Sequence, residues 1–299
     1  MSDEISSLNV KMESDTVVPK LSVYYSTISC LFLSLIYVGS LYVWRSEHNR
    51  DHPSTVKKRF FSVFMVMLIS PVFIYMLLLA NRSTNITIWE IMGFRLKGVL
   101  AALFVPLLLT ATLFLGPICA IIINGVWKLY LEPNYWMDSF KNILWIRNHI
   151  VAPLSEEFTF RACMMPLLLQ SYRPTTAVLL TPLFFGVAHL HHNIERVRSG
   201  MDWKTALIVS TFQFAYTGIF GIYSAYLFAK TGHFIAPFIA HAFCNHMGFP
   251  DIQEVLLQQD NKKYIILSCY VIGLVSWIYL LPIVTEPQWY SNELYWTNM

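Results

Sequence analysis

The chain has few charged residues for its length. Only 13% of its 299 residues are Asp, Glu, Lys or Arg, whereas a soluble chain would carry roughly a quarter. Hydrophobic residues make up 56%, and the mean hydropathy is +0.50. The net charge of +3 is too small to indicate nucleic acid or an acidic ligand as a partner. This composition is typical of an integral membrane protein.

Two further features are missing. The five cysteines have neither the spacing of a zinc site nor that of a disulfide framework, so we interpret them as buried, reduced thiols. Residues 1–20 are polar, with acidic residues and no basic stretch ahead of an apolar core. We therefore predict a polar N-terminal tail without a cleavable signal peptide, and a first apolar run that is a retained signal anchor.

Eight apolar segments predict an all-α fold, a polytopic membrane bundle of about eight transmembrane or intramembrane helices that enclose a polar chamber. The segments are Leu21–Trp44, Phe60–Ala80, Val99–Val126, Ile143–Gln170, Thr175–Leu190, Thr205–Phe228, Phe234–Met247 and Tyr264–Val284. The fifth and seventh are shorter than the roughly 20 residues of a spanning helix. We predict one membrane domain over residues 21–284, with its motif core at 150–250 and a C-terminal tail at 285–299.

The distribution of basic residues predicts the orientation in the membrane. The loop after the first apolar segment is the most basic stretch of the chain, with Arg45, Arg50, Lys57, Lys58 and Arg59. Because cytoplasmic loops are enriched in Lys and Arg, we place this loop in the cytosol. The next loop carries two glycosylation sequons, at Asn81 and Asn85, which fit a lumenal position. They lie close to the membrane, so the sequence leaves their glycosylation open.

The first of three polar clusters in apolar sequence is Glu156-Glu157-x-x-x-Arg161. Glu157 and Arg161 are four residues apart and share a helix face, so we expect them to pair. Glu156 is rotated by about 100° and is left over. A carboxylate without a cationic partner in a low-dielectric site is a candidate general base. The alternative is a helix start at Ser155, where acidic residues suit the helix dipole.

The other two clusters each place two residues four apart on one helix face. Phe185 precedes His189 by one turn, and His241 precedes Asn245 by one turn. His189 could share protons with a water held by Glu156. His241 and Asn245 could both donate hydrogen bonds to a developing oxyanion. The alternative for each histidine is a hydrogen-bonded core residue without a catalytic role.

This set of residues admits several mechanisms. Glu156 and His189 could activate a water, or Glu156, His189 and His241 could bind zinc. The zinc alternative lacks a His-Glu-x-x-His helix and gives Asn245 no part. A Cys244 nucleophile is disfavoured because Cys244 lies about 60° from the direction of His241. A membrane scaffold or a proton-coupled carrier would use the same polar groups without cleaving anything.

In this order, the three motifs resemble the CaaX prenyl endopeptidase family of the Ras-converting type, which belongs to the glutamate-type intramembrane proteases. The first basic loop, from Arg50-Asp51-His52-Pro53 to Lys57-Lys58-Arg59-Phe60, is similar to that of eukaryotic members. By the family pattern, the water-activating pair is Glu156 and His189, and the oxyanion-binding pair is His241 and Asn245. The resemblance matches Glu157 and Arg161 to partners of the first motif.

The resemblance implies an enzyme of the endoplasmic reticulum membrane that removes the last three residues of prenylated CaaX proteins, such as small GTPases, at a site open to the cytosol. It implies no metal and no cofactor. A farnesyl or geranylgeranyl chain would need an apolar groove, which aromatic residues could line: Phe184, Phe185, Phe212, Phe214 and Phe243. The alternative for each is aromatic core packing. The sequence leaves open the prenyl length and the oligomeric state.

Overall fold

A computed structural model describes residues 21–45, 47–78, 86–189, 191–258 and 261–296, and of residues 187–189, 191 and 192 it describes the backbone alone. Every regular element in these ranges is a helix, and they contain no strand. The predicted N-terminal tail, residues 1–20, and both sequon asparagines, Asn81 and Asn85, lie outside the described residues. The all-α class predicted from the sequence is confirmed over the described part of the chain.

Seven elements make up the first half. Helices α1 and α2 are long, α3 is a single turn, and α4 and α5 form a bent pair, followed by a 3₁₀ turn and α6. Their bounds are α1 Val23–Ser40, α2 Pro53–Leu78, α3 Ile88–Ile91, α4 Val99–Leu113, α5 Leu115–Ile123, the 3₁₀ turn Val126–Leu131 and α6 Pro133–Lys141.

The second half begins with a continuous helical run over residues 143–169, which we call the motif helix. The side chain of Asn142 caps it by accepting hydrogen bonds from the backbone N–H groups of Leu144 and Trp145, at 2.9 and 3.3 Å. The elements after it are α7 Pro174–His189, α8 His191–Arg198, α9 Trp203–Thr231, α10 Ile235–Met247, α11 Ile252–Leu257, α12 Lys262–Val284 and the 3₁₀ turn Pro287–Tyr290.

Four helices in the described residues are long and apolar enough to cross a membrane: α1, α2, α9 and α12. The pair α4 and α5, bent by 73°, would make a fifth span. The sequence predicted about eight transmembrane or intramembrane helices, and that number stays a prediction. The short α7 and α10 correspond to the fifth and seventh apolar segments, which carry the second and third polar clusters.

The motif helix lies at the centre of the bundle. Its second half, from Phe158 to Leu168, is buried without interruption. Helix α1 packs along it, with the Ser26 hydroxyl donating to the carbonyl of Leu167 at 2.9 Å. Near the other end of α1, the hydroxyls of Tyr37 and Ser155 are 3.1 Å apart. The motif helix is therefore held from both ends against α1, and its first half carries the two glutamates.

The segment after α12, predicted as a tail, packs against the bundle as far as it is described. Tyr290 and Asn292 are buried there. The Asn292 amide donates to the carbonyls of Ala229 and Lys230 at the end of α9, both at 2.9 Å. Helix α9 ends at Gly232, whose φ of +65° is left-handed and suits glycine. The chain then turns into α10, which carries the third polar cluster.

Candidate active site

The two adjacent glutamates lie in a short α-helical stretch between two π-helical turns of the motif helix. The α-helical stretch is Ala152–Glu157, and the π-helical turns are Arg147–Val151 and Phe158–Cys163. A π turn holds an extra residue and redirects the side chains that follow it, and such turns are frequent at functional sites. The local winding of the helix therefore sets the directions of Glu156 and Glu157.

Glu157 is fully buried and has three side-chain partners. Arg161 contacts both its oxygens at 3.2 Å, which confirms the pair expected from the four-residue spacing. The hydroxyl of Ser224, on α9, donates to Oε2 at 2.5 Å. His241, on α10, places Nδ1 2.7 Å from Oε1. A buried carboxylate with this many partners is held in one position, and it ties three helices together.

Arg161 is the largest fully buried side chain of the bundle. One guanidinium nitrogen donates to the carbonyl of Gly221 at 3.1 Å, and the guanidinium lies 5.3 Å from the ring centre of Phe185. A Cβ at Gly221 would lie 3.1 Å from Pro182 of α7, so the glycine lets α9 pack closely against α7. Phe185 is 2% exposed, and it covers the buried ion pair.

Glu156 faces away from Arg161, as the rotation between adjacent helical residues predicted. Its side chain is 20% exposed, whereas that of Glu157 is fully buried. Its Oε2 lies 3.9 Å from Nε2 of His241. Glu156 also lines two separate cavities. It is therefore the carboxylate of the pair that a substrate or a water can reach.

His241 lies between the two carboxylates. Because a carboxylate only accepts hydrogen bonds, the contact with Glu157 places a proton on Nδ1 of the imidazole. Nε2 then points toward Glu156 and the larger of the two cavities. The ring of Phe220 packs beside the imidazole, with the centres 4.7 Å apart. Glu157 thus orients His241, a relationship that the sequence did not suggest.

Asn245 also lines the larger cavity, one turn after His241 on α10. Its amide donates to the carbonyl of Asn148 at 2.8 Å, in the first π-helical turn of the motif helix. An amide group has two N–H donors, so one remains for a ligand. The shared face of His241 and Asn245 that the sequence predicted is present.

His189 is the last residue of α7, and its side chain is not described. The predicted pairing of His189 with Glu156 stays a prediction. Phe185, one turn earlier, lines both cavities. Phe185 thus brings α7 to the lining of both cavities that Glu156 also lines.

The larger cavity has a volume of about 750 Å³ and is mainly apolar. Its walls come from α9, α10, α12, the bend between α4 and α5, Glu156 of the motif helix and Phe185 of α7. The polar side chains in its lining include Glu156, Gln213, Tyr216, Thr217, His241 and Asn245. Because the lining is mainly apolar, a polar chamber is not confirmed.

A smaller cavity of about 220 Å³ shares Glu156 and Phe185 with the larger one. It lies on the other side of Glu156, between the motif helix, the end of α1 and the start of α2. Three arginines line it: Arg50, Arg59 and Arg147. Two cavities of different chemistry thus meet at one carboxylate.

Of the five phenylalanines predicted for an isoprenoid groove, only Phe185 lines the larger cavity. Phe243 packs against Phe114, with ring centres 5.7 Å apart. Phe214 lies directly against Gly186, where its ring would clash with any Cβ. The aromatic residues that do line the cavity, besides Phe185, are Phe114, Tyr216, Phe220, Tyr223, Tyr226, Phe249 and Trp277.

Among the described residues, no group of three His, Cys, Asp or Glu side chains could hold a metal ion. The zinc alternative needs His189, whose side chain is not among them. Cys244 lines the larger cavity but is not in contact with the ring nitrogens of His241, which face the two glutamates. His246 packs among aromatic rings, including Trp136 and His149.

Known proteins resemble this chain over most of its length. The family model described as Type II CAAX prenyl endopeptidase Rce1-like matches residues 138–247, which include the motif helix and α10. CAAX prenyl protease 2 of Homo sapiens is 42% identical over 285 residues, which cover 92% of this chain and 85% of the human protein. The chain belongs to the CAAX prenyl protease 2 family. It is accordingly an enzyme of the CaaX endopeptidase class, embedded in a membrane.

Other relatives with the same name extend the match. The protein of Rattus norvegicus is 38% identical over 284 residues, which cover 92% of this chain and 84% of the rat protein. That of Saccharomyces cerevisiae is 30% identical over 250 residues, covering 74% of this chain and 78% of the yeast protein. No solved structure matches the chain significantly. Family membership disfavours the scaffold and carrier alternatives.

The structure also brings residues to this site that sequence reasoning missed. Ser224 binds Glu157 from the middle of a long apolar helix, and Asn148 accepts the hydrogen bond of Asn245. Of the arginines of the smaller cavity, Arg50 and Arg59 were used for the orientation and the family resemblance, and Arg147 was not used. Ser224 and Asn148 are separated from their partners by 67 and 97 residues, so no local spacing could have revealed them.

Proposed function

We propose that this protein removes the C-terminal tripeptide from prenylated CaaX proteins, such as small GTPases, by attack of a water on the peptide bond that follows the prenylated cysteine. The observation that carries the proposal is the position of Glu156. It is the accessible carboxylate of the pair, it is not bound by Arg161, and it lies where a mainly apolar cavity meets one that is lined by three arginines.

Glu156 acts as the general base in this proposal, and His189 shares the proton of the attacking water. Glu157 cannot take that part because Arg161, Ser224 and His241 already occupy its oxygens. Glu157 instead orients the imidazole of His241. A base must lie within hydrogen-bond reach of the water it activates, and Glu156 faces the space where that water would lie.

His241 and Asn245 stabilise the oxyanion that forms when water attacks the carbonyl. His241 donates through Nε2 as the doubly protonated imidazolium, since its Nδ1–H is engaged by Glu157. Asn245 uses its second amide hydrogen, since the first binds Asn148. Both donors are fixed by other parts of the site before the substrate arrives. Fixed donors stabilise developing charge with little reorganisation, which is their main contribution to catalysis.

The larger cavity binds the prenyl chain. Its wall is mainly apolar, and burial of each CH₂ group contributes about 0.8 kcal/mol. An enzyme in the membrane meets its anchored substrate by diffusion in two dimensions. The proposal places the enzyme in the endoplasmic reticulum membrane with the site open to the cytosol. Arg147 at the start of the motif helix binds Asp51 of the first basic loop at 2.8 Å, and that loop is the one assigned to the cytosol.

Tripeptide release from a farnesylated peptide tests the proposal. Purified wild-type protein, Glu156→Ala, Cys244→Ala and a chelator-treated sample are compared. We expect release by all but Glu156→Ala. Loss on chelation that zinc restores would make the histidines metal ligands and contradict the proposed mechanism. No release by folded wild-type protein would contradict the activity itself.

A further inference from the structure

The smaller cavity is lined by three cationic side chains and one acidic one among its described residues. Arg50, Arg59 and Arg147 face it, and Glu156 lies at its inner end, where it meets the larger cavity. The arginines come from the loop before α2, from α2 itself and from the start of the motif helix. Three separate parts of the chain thus direct positive charge into one space beside the proposed general base.

Neighbouring carboxylates fill only part of the hydrogen-bonding capacity of these arginines. Arg147 contacts Asp51 at 2.8 Å, and Arg59 contacts Glu195 at 3.3 Å. Arg50 reaches the same two carboxylates at the longer distances of 3.5 and 3.9 Å. Each guanidinium carries five N–H donors in a planar fork.

Arg59 is the most enclosed of the three, with a side chain that is 21% exposed. Its Nε is buried and has no hydrogen-bond partner among the described residues. A buried donor without a partner is costly, so a ligand that accepts its hydrogen bond would be favoured. The ligand that suits a forked cation is a carboxylate, which binds through two parallel hydrogen bonds.

One side of the motif helix lines the cavity between the arginines and Glu156. Asn148, Ala152 and Ser155 line the cavity, and their spacing of four and three residues puts them on one face of the motif helix. Nine residues separate Arg147 from Glu156, which is about 13 Å along a helix at roughly 1.5 Å per residue. An extended tripeptide spans about 10 Å at roughly 3.3 Å per residue.

We propose that the smaller cavity binds the departing tripeptide of the substrate, and that Arg59 and Arg147 bind its C-terminal carboxylate. This inference rests on the proposed function, because it places the scissile bond at Glu156. The prenyl chain then lies in the larger cavity and the tripeptide in the smaller one. A free carboxylate three residues beyond the scissile bond is the feature that the arginines recognise. The site thereby selects substrates whose chain ends three residues after the cleaved bond.

The test compares two farnesylated peptides of the same sequence, one ending in a free carboxylate and one in a carboxamide. Full-length wild type, Arg59→Gln and Arg147→Gln are assayed in membranes of neutral lipid. We expect the kcat/KM of the wild type to be about 10- to 100-fold higher for the carboxylate peptide than for the carboxamide peptide. This ratio is the one expected from the loss of a charge-assisted hydrogen bond. Both variants lose most of this preference, and their kcat/KM for the carboxamide stays close to the wild-type value.

Arg198→Gln is the matched control, because Arg198 is an exposed arginine of α8 that does not line the cavity. It retains the full preference. Should one of the two variants fail to fold, the other carries the test, because the proposal assigns the carboxylate to both Arg59 and Arg147. Equal cleavage of both peptides by wild type, or an equal loss on both peptides in the variants, would overturn the inference while leaving tripeptide release intact. Cleavage of neither peptide by wild type would overturn the proposed function, and this inference with it.

Discussion

The imidazole of His241 is held by Glu157 through a 2.7 Å contact between Nδ1 and Oε1. The two residues are 84 positions apart in the chain, on α10 and on the motif helix. The same carboxylate is bound by Arg161 and Ser224, so the imidazole is fixed by a group that is itself fixed. Adjacent glutamates therefore have different tasks: one positions a histidine, and the other remains accessible.

The two glutamates are expected to differ when they are changed separately. Glu156→Gln removes the proposed base and only a long 3.9 Å contact with Nε2 of His241, so we expect activity to fall at least about 10²-fold with little change in thermal stability. Glu157→Gln leaves Arg161 buried without its counter-ion, which costs about 3–5 kcal/mol. Thermal unfolding and peptide cleavage, measured on the same preparations, check both expectations. Equal loss of stability in the two variants would contradict this division of tasks.

Arg161 is expected to contribute to stability mainly by neutralising Glu157. Arg161→Met should destabilise the protein by about 3–5 kcal/mol, since it leaves a buried carboxylate without its cation. The double variant Glu157→Leu/Arg161→Met should recover part of that loss, because no buried charge is left unpaired. The double variant is inactive in this prediction, since His241 loses the carboxylate that orients it. Arg198→Met, on the exposed surface, is the control and should leave the midpoint of thermal unfolding unchanged.

Asn245 is expected to act on the rate of cleavage more than on substrate binding. Asn245→Ala removes one oxyanion donor, and loss of such a donor costs about 10²- to 10³-fold in kcat. The lost contact with Asn148 should lower stability by only about 1 kcal/mol. Steady-state kinetics with a farnesylated peptide separate the two parameters. A rise in KM at unchanged kcat would show that Asn245 binds substrate and does not stabilise the oxyanion.

The larger cavity is expected to set the preference for prenyl length. Ile222 lines it on α9, so Ile222→Trp should shorten the apolar space. Loss of room for one or two CH₂ groups, at about 0.8 kcal/mol each, should lower cleavage of a geranylgeranylated peptide about 10-fold relative to a farnesylated one. Ile283→Trp is the matched control on α12, where Ile283 is exposed and lies outside the cavity lining. If both variants changed the ratio of geranylgeranylated to farnesylated peptide cleavage equally, the assignment of the larger cavity to the prenyl chain would be contradicted.

Asp51 is expected to compete with the substrate carboxylate for Arg147. The hydrogen bond from Arg147 lowers the pKa of Asp51 below its usual range. Because the pKa of Asp51 is lowered, this contact stabilises the folded protein at every pH above the ordinary pKa of an aspartate. The stabilisation is lost only as the pH falls through the lowered pKa, so the contact persists at neutral pH. Because Asp51 is half exposed, the contact is weak. Asp51→Asn should lower KM for a carboxylate peptide about two- to threefold and leave a carboxamide peptide unaffected. Equal changes for both peptides would contradict the competition.

Local spacing was enough to predict several features of this protein. The apolar segments predicted an all-helical membrane fold, and the four-residue spacings predicted the pair of Glu157 with Arg161 and the shared face of His241 and Asn245. Each of these depends on the geometry of one helix, which adjacent residues determine. The three motifs, taken in their order along the chain, were also specific enough to indicate the family.

Contacts between helices were not predictable in the same way. The sequence paired Glu156 with His189 and gave His241 no carboxylate, whereas the structure places His241 between both glutamates. It also offered phenylalanines for a prenyl groove, of which only Phe185 lines the cavity. Aromatic composition shows that a helix is apolar, but it does not show which face meets a cavity and which meets a neighbouring helix.

The sequence by itself determined the class of fold, because composition and spacing within a helix are local properties, and its resemblance to a known family indicated the family and the residues proposed to carry the chemistry. The helix-face argument already favoured Glu156 as the glutamate without a cationic partner, and only the tertiary structure decided what makes the two glutamates differ in access. That distinction depends on Ser224 and His241, which reach Glu157 from two other helices, and on the arginines that surround the space beside Glu156. Such contacts form only when distant segments pack, so no pattern along the chain records them.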